Sequence, residues 1–253
     1  MRFFYFYLRM SDFFCTFAGG TDDDQHKLEY MEPTKFDRAI KIVSLLIVVM
    51  AVIHEVWLIY QGTRGSRLIF SGMQYITLLL VIVPSMLKRR LNVEMPWMLF
   101  TIIVVFCFSG LILGDALNFY KMVPWWDDLL HIESGVLLAA IGLWLLRVAL
   151  AANEKPIGFN RWVLAIYLVT FSLGMATFWE CIEFTLDDLF GFNTQQFMAT
   201  TKGSLITEAD VPLCGHEALY DTMMDLSTTL FGAVPAAIYC FFRYDKVLGR
   251  SES

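Results

Sequence analysis

Three short stretches of this sequence carry cation-binding side chains at spacings that place them on single helical faces. In Trp125-Trp126-Asp127-Asp128-Leu129-Leu130-His131, Asp127 stands four residues and Asp128 three residues before His131. Positions three or four apart are neighbours on a helix surface, so either aspartate can meet the imidazole. Trp179-Glu180-Cys181-Ile182-Glu183, with Asp187 four residues beyond, draws a stripe of carboxylates. Asp221-Thr222-Met223-Met224-Asp225 adds a pair at spacing four. Carboxylates and one imidazole from different helices suit Mg²⁺, Mn²⁺, Zn²⁺ or Fe. Closely placed carboxylates in a partly dry site cannot all be ionised without compensating positive charge, so a divalent cation or retained protons must accompany them. The expected metal ligands are His131, Glu180, Glu183, Asp221 and Asp225; Asp127 or Asp128 orients His131 or serves as base.

The elements that must position these groups are transmembrane helices. Of 253 residues 57% are hydrophobic and 17% charged, with mean hydropathy +0.56. Ordinary globular domains are less apolar and more charged. The apolar residues fall in blocks near the ~20 residues a helix needs to cross hydrocarbon, and lipid offers no partner to a bare peptide group. The expected fold is therefore all-α: a polytopic bundle with spans near 39–60, 67–87, 96–119, 129–150, 162–186 and 221–242. Residues 1–37 read as an N-terminal tail, disordered or upstream of a natural start at Met31. The six-span domain covers 38–245, and 246–253 is a cytoplasmic tail.

Charge sets the orientation. Lys35, Arg38, Lys41, Lys88, Arg89, Arg90, Arg147, Lys155, Arg161, Arg243, Lys246 and Arg250 fall on one side of this topology. Arg64, Arg67, Lys121 and Lys202 fall on the other. The bias puts both termini in the cytoplasm and the alternate loops outside, in the periplasm if the membrane is a bacterial inner membrane. The start of span four, the end of span five and the start of span six then share one depth on the outer side. Trp97, Trp125, Trp126, Trp162 and Trp179 lie near span ends, as interfacial anchors do.

Other residues support or dilute this picture. His54-Glu55 closes the first span on the same side, as Asp115 and Asn118 close the third. Gly135 and Gly232 let helices approach closely. The outer loop 187–220, with Gln195, Gln196 and His216, is long enough to form a lid. Asp127, Asp128 and Asp221 also stand where helix N-caps stand, and Asp187 and Asp188 where head-group water begins. Glu180 and Glu183 are harder to explain so, because anions are disfavoured at a helix C-terminus. Cys107, Cys181 and Cys240 lie in apolar blocks, and Cys15 and Cys214 are far apart in unlike settings, so the five cysteines are not expected to build a disulfide framework. A formal charge of −6 argues against a nucleic-acid partner; membrane lipids are the expected surroundings.

The stretches Trp126-Asp127-Asp128-Leu129-Leu130-His131…Gly135, Trp179-Glu180…Glu183…Asp187 and Tyr220-Asp221-Thr222…Asp225-Leu226…Gly232 resemble the YjdF-like family of bacterial inner-membrane proteins. More distantly they are similar to VanZ-type membrane proteins, which carry an Asp-x-x-x-His at a helix start; the Glu-x-x-Gln of that group is absent. The YjdF-like resemblance covers the chain from about residue 38 and implies a small multi-span protein without an assigned substrate. Three readings of function stay open. The residues suit a metal-dependent hydrolase or transferase acting on a lipid or lipid-linked phosphate. They also suit a proton- or cation-coupled transporter or ion-binding protein, or a structural, partner-binding membrane protein.

Overall fold

The computed structural model describes residues 35–62, 67–73, 75–76, 96–151, 159–199, 205–206 and 210–248. The described residues are mostly helical and include no named strand. In chain order the helices are α1 (Lys35–Tyr60), α2 (Trp97–Phe108), a π-helical segment (Ser109–Ala116), α3 (Phe119–Met122), α4 (Trp126–Ala151), α5 (Arg161–Phe190), α6 (Tyr220–Phe242) and α7 (Tyr244–Val247). Residues 67–73 and 75–76 are also helical. The expected N-terminal tail lies mostly outside the described residues, as does most of the expected second span.

Among the described residues, three helices are long and apolar enough to cross a membrane: Trp126–Leu150, Arg161–Phe190 and Glu217–Phe242. Val48–Tyr60 and Leu99–Gly114 are shorter apolar helices. The expected third span is not one regular helix. Its first half is α2, and its second half widens so that the Leu117 amide reaches Ile112 O at 2.8 Å, five residues back. Asn118 then takes a left-handed conformation (φ 59°) and ends the run. Gly114 accompanies this change: a Cβ there would enter the Tyr120 ring, so the glycine makes room for the chain to fold back.

The helix ends follow from their residues. Asn160 caps α5, its side-chain oxygen accepting from the Val163 amide at 3.0 Å. Gly191 (φ 65°) closes the same helix, its amide donating to Asp187 O at 3.0 Å. Asp127 and Asp128 occupy the first turn of α4, where the helix dipole favours negative charge.

Helices α4, α5 and α6 pack together as the centre of the molecule. Leu137, Ala139, Ala140 and Leu143 of α4 meet Leu164 and Leu168 of α5 and Ala236, Ala237 and Cys240 of α6 in one buried cluster. Tyr244 and Val247 of α7 fold back onto it, the Tyr244 hydroxyl donating to Phe159 O. In lipid there is no aqueous driving force between helices, so close packing and polar contacts must hold them. Both are present. A Cβ on Gly135 would collide with Thr229 O, and one on Gly232 with Ile132 O. The two glycines thus let α4 and α6 touch backbone to backbone, as their spacing from His131 and Asp225 suggests. Ser134 Oγ lies 3.4 Å from Thr229 Oγ1 at this crossing, and Ser172 Oγ of α5 is 3.4 Å from Gly135 O.

Even Gly135→Ala should therefore destabilise the bundle, because the obstructing atom is a backbone carbonyl oxygen that cannot swing aside. We expect a loss of about 1–3 kcal/mol, read as a lower unfolding midpoint in detergent and a smaller monodisperse peak in size exclusion. Gly174→Ala, whose Cβ meets nothing within 4 Å, should leave the midpoint unchanged or raise it. Equal midpoints for the two variants would show that α4 and α6 do not meet at Gly135.

Candidate functional site

One turn above the Gly135 crossing, α4 presents His131 to α6. Asp127 precedes it by four residues, and Asp225 lies on α6 two turns before Gly232. His131 Nε2 is 3.6 Å from Asp127 Oδ1 and 3.4 Å from Asp225 Oδ2. One ligand-type atom from each of the three residues falls within 4.8 Å of the others. Asp225 is buried, while Asp127 and His131 are partly exposed. Both separations exceed the usual 2.7–3.2 Å range of a nitrogen–oxygen hydrogen bond, and one imidazole nitrogen can serve only one hydrogen-bond partner at a time.

Further carboxylates surround this constellation. Asp127, Asp128, Glu180 and Asp221 are all within electrostatic reach of Asp225. Glu183 is within reach of Glu180, Asp225 and Asp127. Glu180 is 5% exposed, and its Oε2 has no hydrogen-bond partner. Its carboxylate otherwise faces Thr222 and Gln195. Glu183 accepts a hydrogen bond from Trp179 Nε1 at 2.9 Å, one turn earlier on α5. Asp128 and Asp221 are half-buried. Among the described residues, none of these carboxylates pairs with a lysine or arginine; the ion pairs of the cluster are those to His131. Lys121, close to Asp127 in sequence, is exposed.

The expected stripe on α5 divides. Glu180 and Glu183 join the cluster; Asp187 is also within electrostatic reach of Glu180 and Asp221, but its oxygens are taken up by the chain that follows the helix. Asp187 is 7% exposed, and its Oδ1 accepts from the Thr194 amide at 2.8 Å and the Thr194 hydroxyl at 2.6 Å. Its Oδ2 accepts from the Gln195 amide at 3.0 Å. With its charge met by three donors, it anchors a strap. Residues 192–199 pair loosely with Leu205 and with residues 211–213: the Ala199 amide donates to Val211 O and the Leu213 amide to Phe197 O, both at 2.8 Å. Gln195 hangs from this strap with Nε2 3.0 Å from Thr222 Oγ1, which ties α5's exit to the start of α6. Phe192 is fully buried and meets Phe70 edge-on at 5.1 Å. His216 is exposed and lies outside the His131 constellation. Thr194 carried no signal in the sequence, because a loop hydroxyl has no periodicity to mark it.

Residues 40–246 match the family described as predicted membrane protein (DUF2238), and the chain belongs to that family. It is thus a helical membrane protein of a family whose description states no activity, in keeping with the YjdF-like resemblance of its three acidic stretches. The match says nothing of VanZ-type proteins. No curated protein and no solved structure matches the chain.

Asp187→Ala should free the strap while leaving the bundle intact. Losing an acceptor of three buried hydrogen bonds lowers local stability by about 2 kcal/mol, roughly a 30-fold faster amide exchange over 192–199. Hydrogen–deuterium exchange followed by mass spectrometry reads this directly. Unchanged exchange there, relative to α4 and α6, would refute the anchoring role.

Proposed function

We propose that this chain is a six-span inner-membrane protein with both termini in the cytoplasm, and that Asp127, His131 and Asp225 hold a divalent cation at its outer face. The observation that carries the reading is the pair of separations at His131 Nε2, 3.4 and 3.6 Å. Ligand atoms about 2.0–2.1 Å from a tetrahedral ion stand roughly 3.4 Å apart. The two spacings are too long for good hydrogen bonds and of the length that a coordination polyhedron requires. Two carboxylates and an imidazole fit Mg²⁺, Mn²⁺, Zn²⁺ or Fe and leave positions for water or substrate.

Such an ion polarises a phosphoryl oxygen and makes a bound water acidic. That chemistry fits a hydrolase or transferase acting on a lipid or lipid-linked phosphate. The surrounding residues have defined parts in this reading. Glu180 and Asp221 add negative charge that raises cation affinity, and Asp128 or Glu183 accepts the proton of an attacking water. Trp179 Nε1 holds Glu183 in place through its hydrogen bond. The cation also offsets repulsion between the acidic rim and an anionic head group.

A second reading is favoured by the unpartnered Oε2 of Glu180: a carboxyl that takes up and releases a proton during cation-coupled transport. It predicts pH-driven cation flux in proteoliposomes that Glu180→Gln abolishes.

Metal analysis distinguishes the two. Protein purified without chelators, or loaded with Mn²⁺ or Zn²⁺ and desalted, should carry one divalent ion per chain. Asp225→Asn and His131→Ala should each lower occupancy by roughly tenfold or more, since outer-shell losses alone cost 10–100-fold. Wild-type protein that neither retains an ion nor gains thermal stability from any of the four metals would sink the metal reading.

Orientation has its own test. Cys214 is exposed between the strap and α6. A membrane-impermeant maleimide should label it in intact cells with permeable outer membranes, and Cys214→Ser should remove the signal. Labelling only after lysis would reverse the orientation.

A further inference from the structure

The His54-Glu55 pair takes no part in the acidic cluster, yet it is built into a polar network of its own. His54 Nδ1 and the Tyr75 hydroxyl share a hydrogen bond of 2.6 Å. Trp57 stacks on the other side of the imidazole, ring centroids 6.1 Å apart. Tyr75 is buried against Cys107, Leu111 and Ile112, so the π-helical segment forms the third wall. Two further polar groups lie close by: Ser71, one helical turn before Tyr75, and Glu55, the neighbour of His54, whose charge reaches the tyrosine. Ser71 is 6% exposed and its Oγ makes no hydrogen bond within 3.5 Å, its nearest polar neighbour being Tyr75; Glu55 Oε1 is buried, also without a hydrogen bond.

An unpartnered buried oxygen is costly, and a carboxylate oxygen more so. Two such atoms stand beside the residues of one tyrosine–histidine pair, and both are open to a ligand. The donor set defines it. Glu55 Oε1, Ser71 Oγ and the Tyr75 oxygen are hard oxygen ligands, and they carry one formal negative charge. The His54 nitrogen facing them is already engaged with Tyr75. The titratable groups shown here are His54, next to Glu55 in sequence, and Tyr75, with Cys107 packed against the tyrosine; among the described residues no ion pair joins Glu55 to a lysine or arginine. One positive charge balances the set, and two would leave an excess. Helical widening of the π type recurs at functional sites, and here it lies against the tyrosine at the centre of the network.

We propose that Glu55, Ser71 and Tyr75 form a second site, for a monovalent cation, H⁺ or Na⁺, separate from the Asp127–His131–Asp225 constellation. The two sites are joined through the strap, because Phe70, one residue before Ser71, packs on Phe192. The second site does not depend on the first holding a metal.

The test uses the full chain in detergent. Unfolding midpoints are compared in NaCl and in equimolar choline chloride, and infrared spectra are recorded at neutral pH. If Na⁺ is the occupant, NaCl raises the wild-type midpoint saturably. Glu55→Gln removes the rise, and Ser71→Ala weakens apparent Na⁺ affinity about tenfold, equivalent to roughly 1.4 kcal/mol. If H⁺ is the occupant, NaCl has no specific effect. The wild type then shows the carbonyl stretch of a protonated carboxylic acid, which Glu55→Gln removes and Ser71→Ala shifts. Asp225→Asn should leave either signature in place. Should Glu55→Gln fail to fold, the Ser71→Ala response decides alone. A Na⁺ effect that survives both substitutions, or no Na⁺ effect with carbonyl regions unchanged by both, overturns the proposal.

Discussion

The backbone contact between α4 and α6 is the constraint on which the rest of this structure depends. At Gly135 and Gly232 each helix presses a glycine against a carbonyl oxygen of the other. Such a contact admits little sliding or rotation, since any shift brings a side chain into the crossing. It therefore fixes the register of the two helices. One turn away on α4 stands His131 and two turns away on α6 stands Asp225, so the same contact sets the distance between them. The site is an extension of the packing, with its precision inherited from two residues that have no side chains.

Electrostatics works against the packing. Asp127, Asp128, Glu180, Glu183, Asp221 and Asp225 crowd one end of a bundle whose described residues pair them with one imidazole. A fold held only by dispersion and weak interhelical hydrogen bonds gains nothing from such a concentration of like charge. Asp187 shows what this chain does when a carboxylate is structural: it surrounds it with three donors. Glu180, a few residues earlier on the same helix, is left with an open oxygen. That contrast separates the groups that shape the fold from those available to a ligand.

Much of this arrangement was legible in the sequence because it rests on helical periodicity. Asp127 and His131, and likewise Asp221 and Asp225, are one turn apart. Alternating helix direction brings the two stretches to one end, and the paired glycines mark the close crossing. What escaped was whatever periodicity does not encode. Asp187 continues the Glu180–Glu183 stripe by spacing, but the helix ends at Gly191 and the chain that folds back claims its carboxylate. The widening at Ser109–Ala116 depends on where Tyr120 settles over Gly114, a contact made after the helix has ended. The Tyr75 and Ser71 hydroxyls carry no pattern within an apolar helix, so His54-Glu55 looked like a span end and its partners were invisible.

Helix α5 is longer than its surroundings require. Its 30 residues extend about 45 Å at 1.5 Å per residue, against roughly 30 Å of hydrocarbon. Fitting that length into the apolar layer would need a tilt of nearly 50°, beyond the 0–40° range of transmembrane helices. The excess must therefore emerge into the polar layers. Arg161 marks one end, and the turns from Glu183 to Phe190 mark the other. If Arg161 stands at one edge of the hydrocarbon, about 20 residues bring the other edge close to Glu180, at the level of the lipid head groups. A molecule anchored by its acyl chains reaches that depth by lateral diffusion alone, without leaving the bilayer.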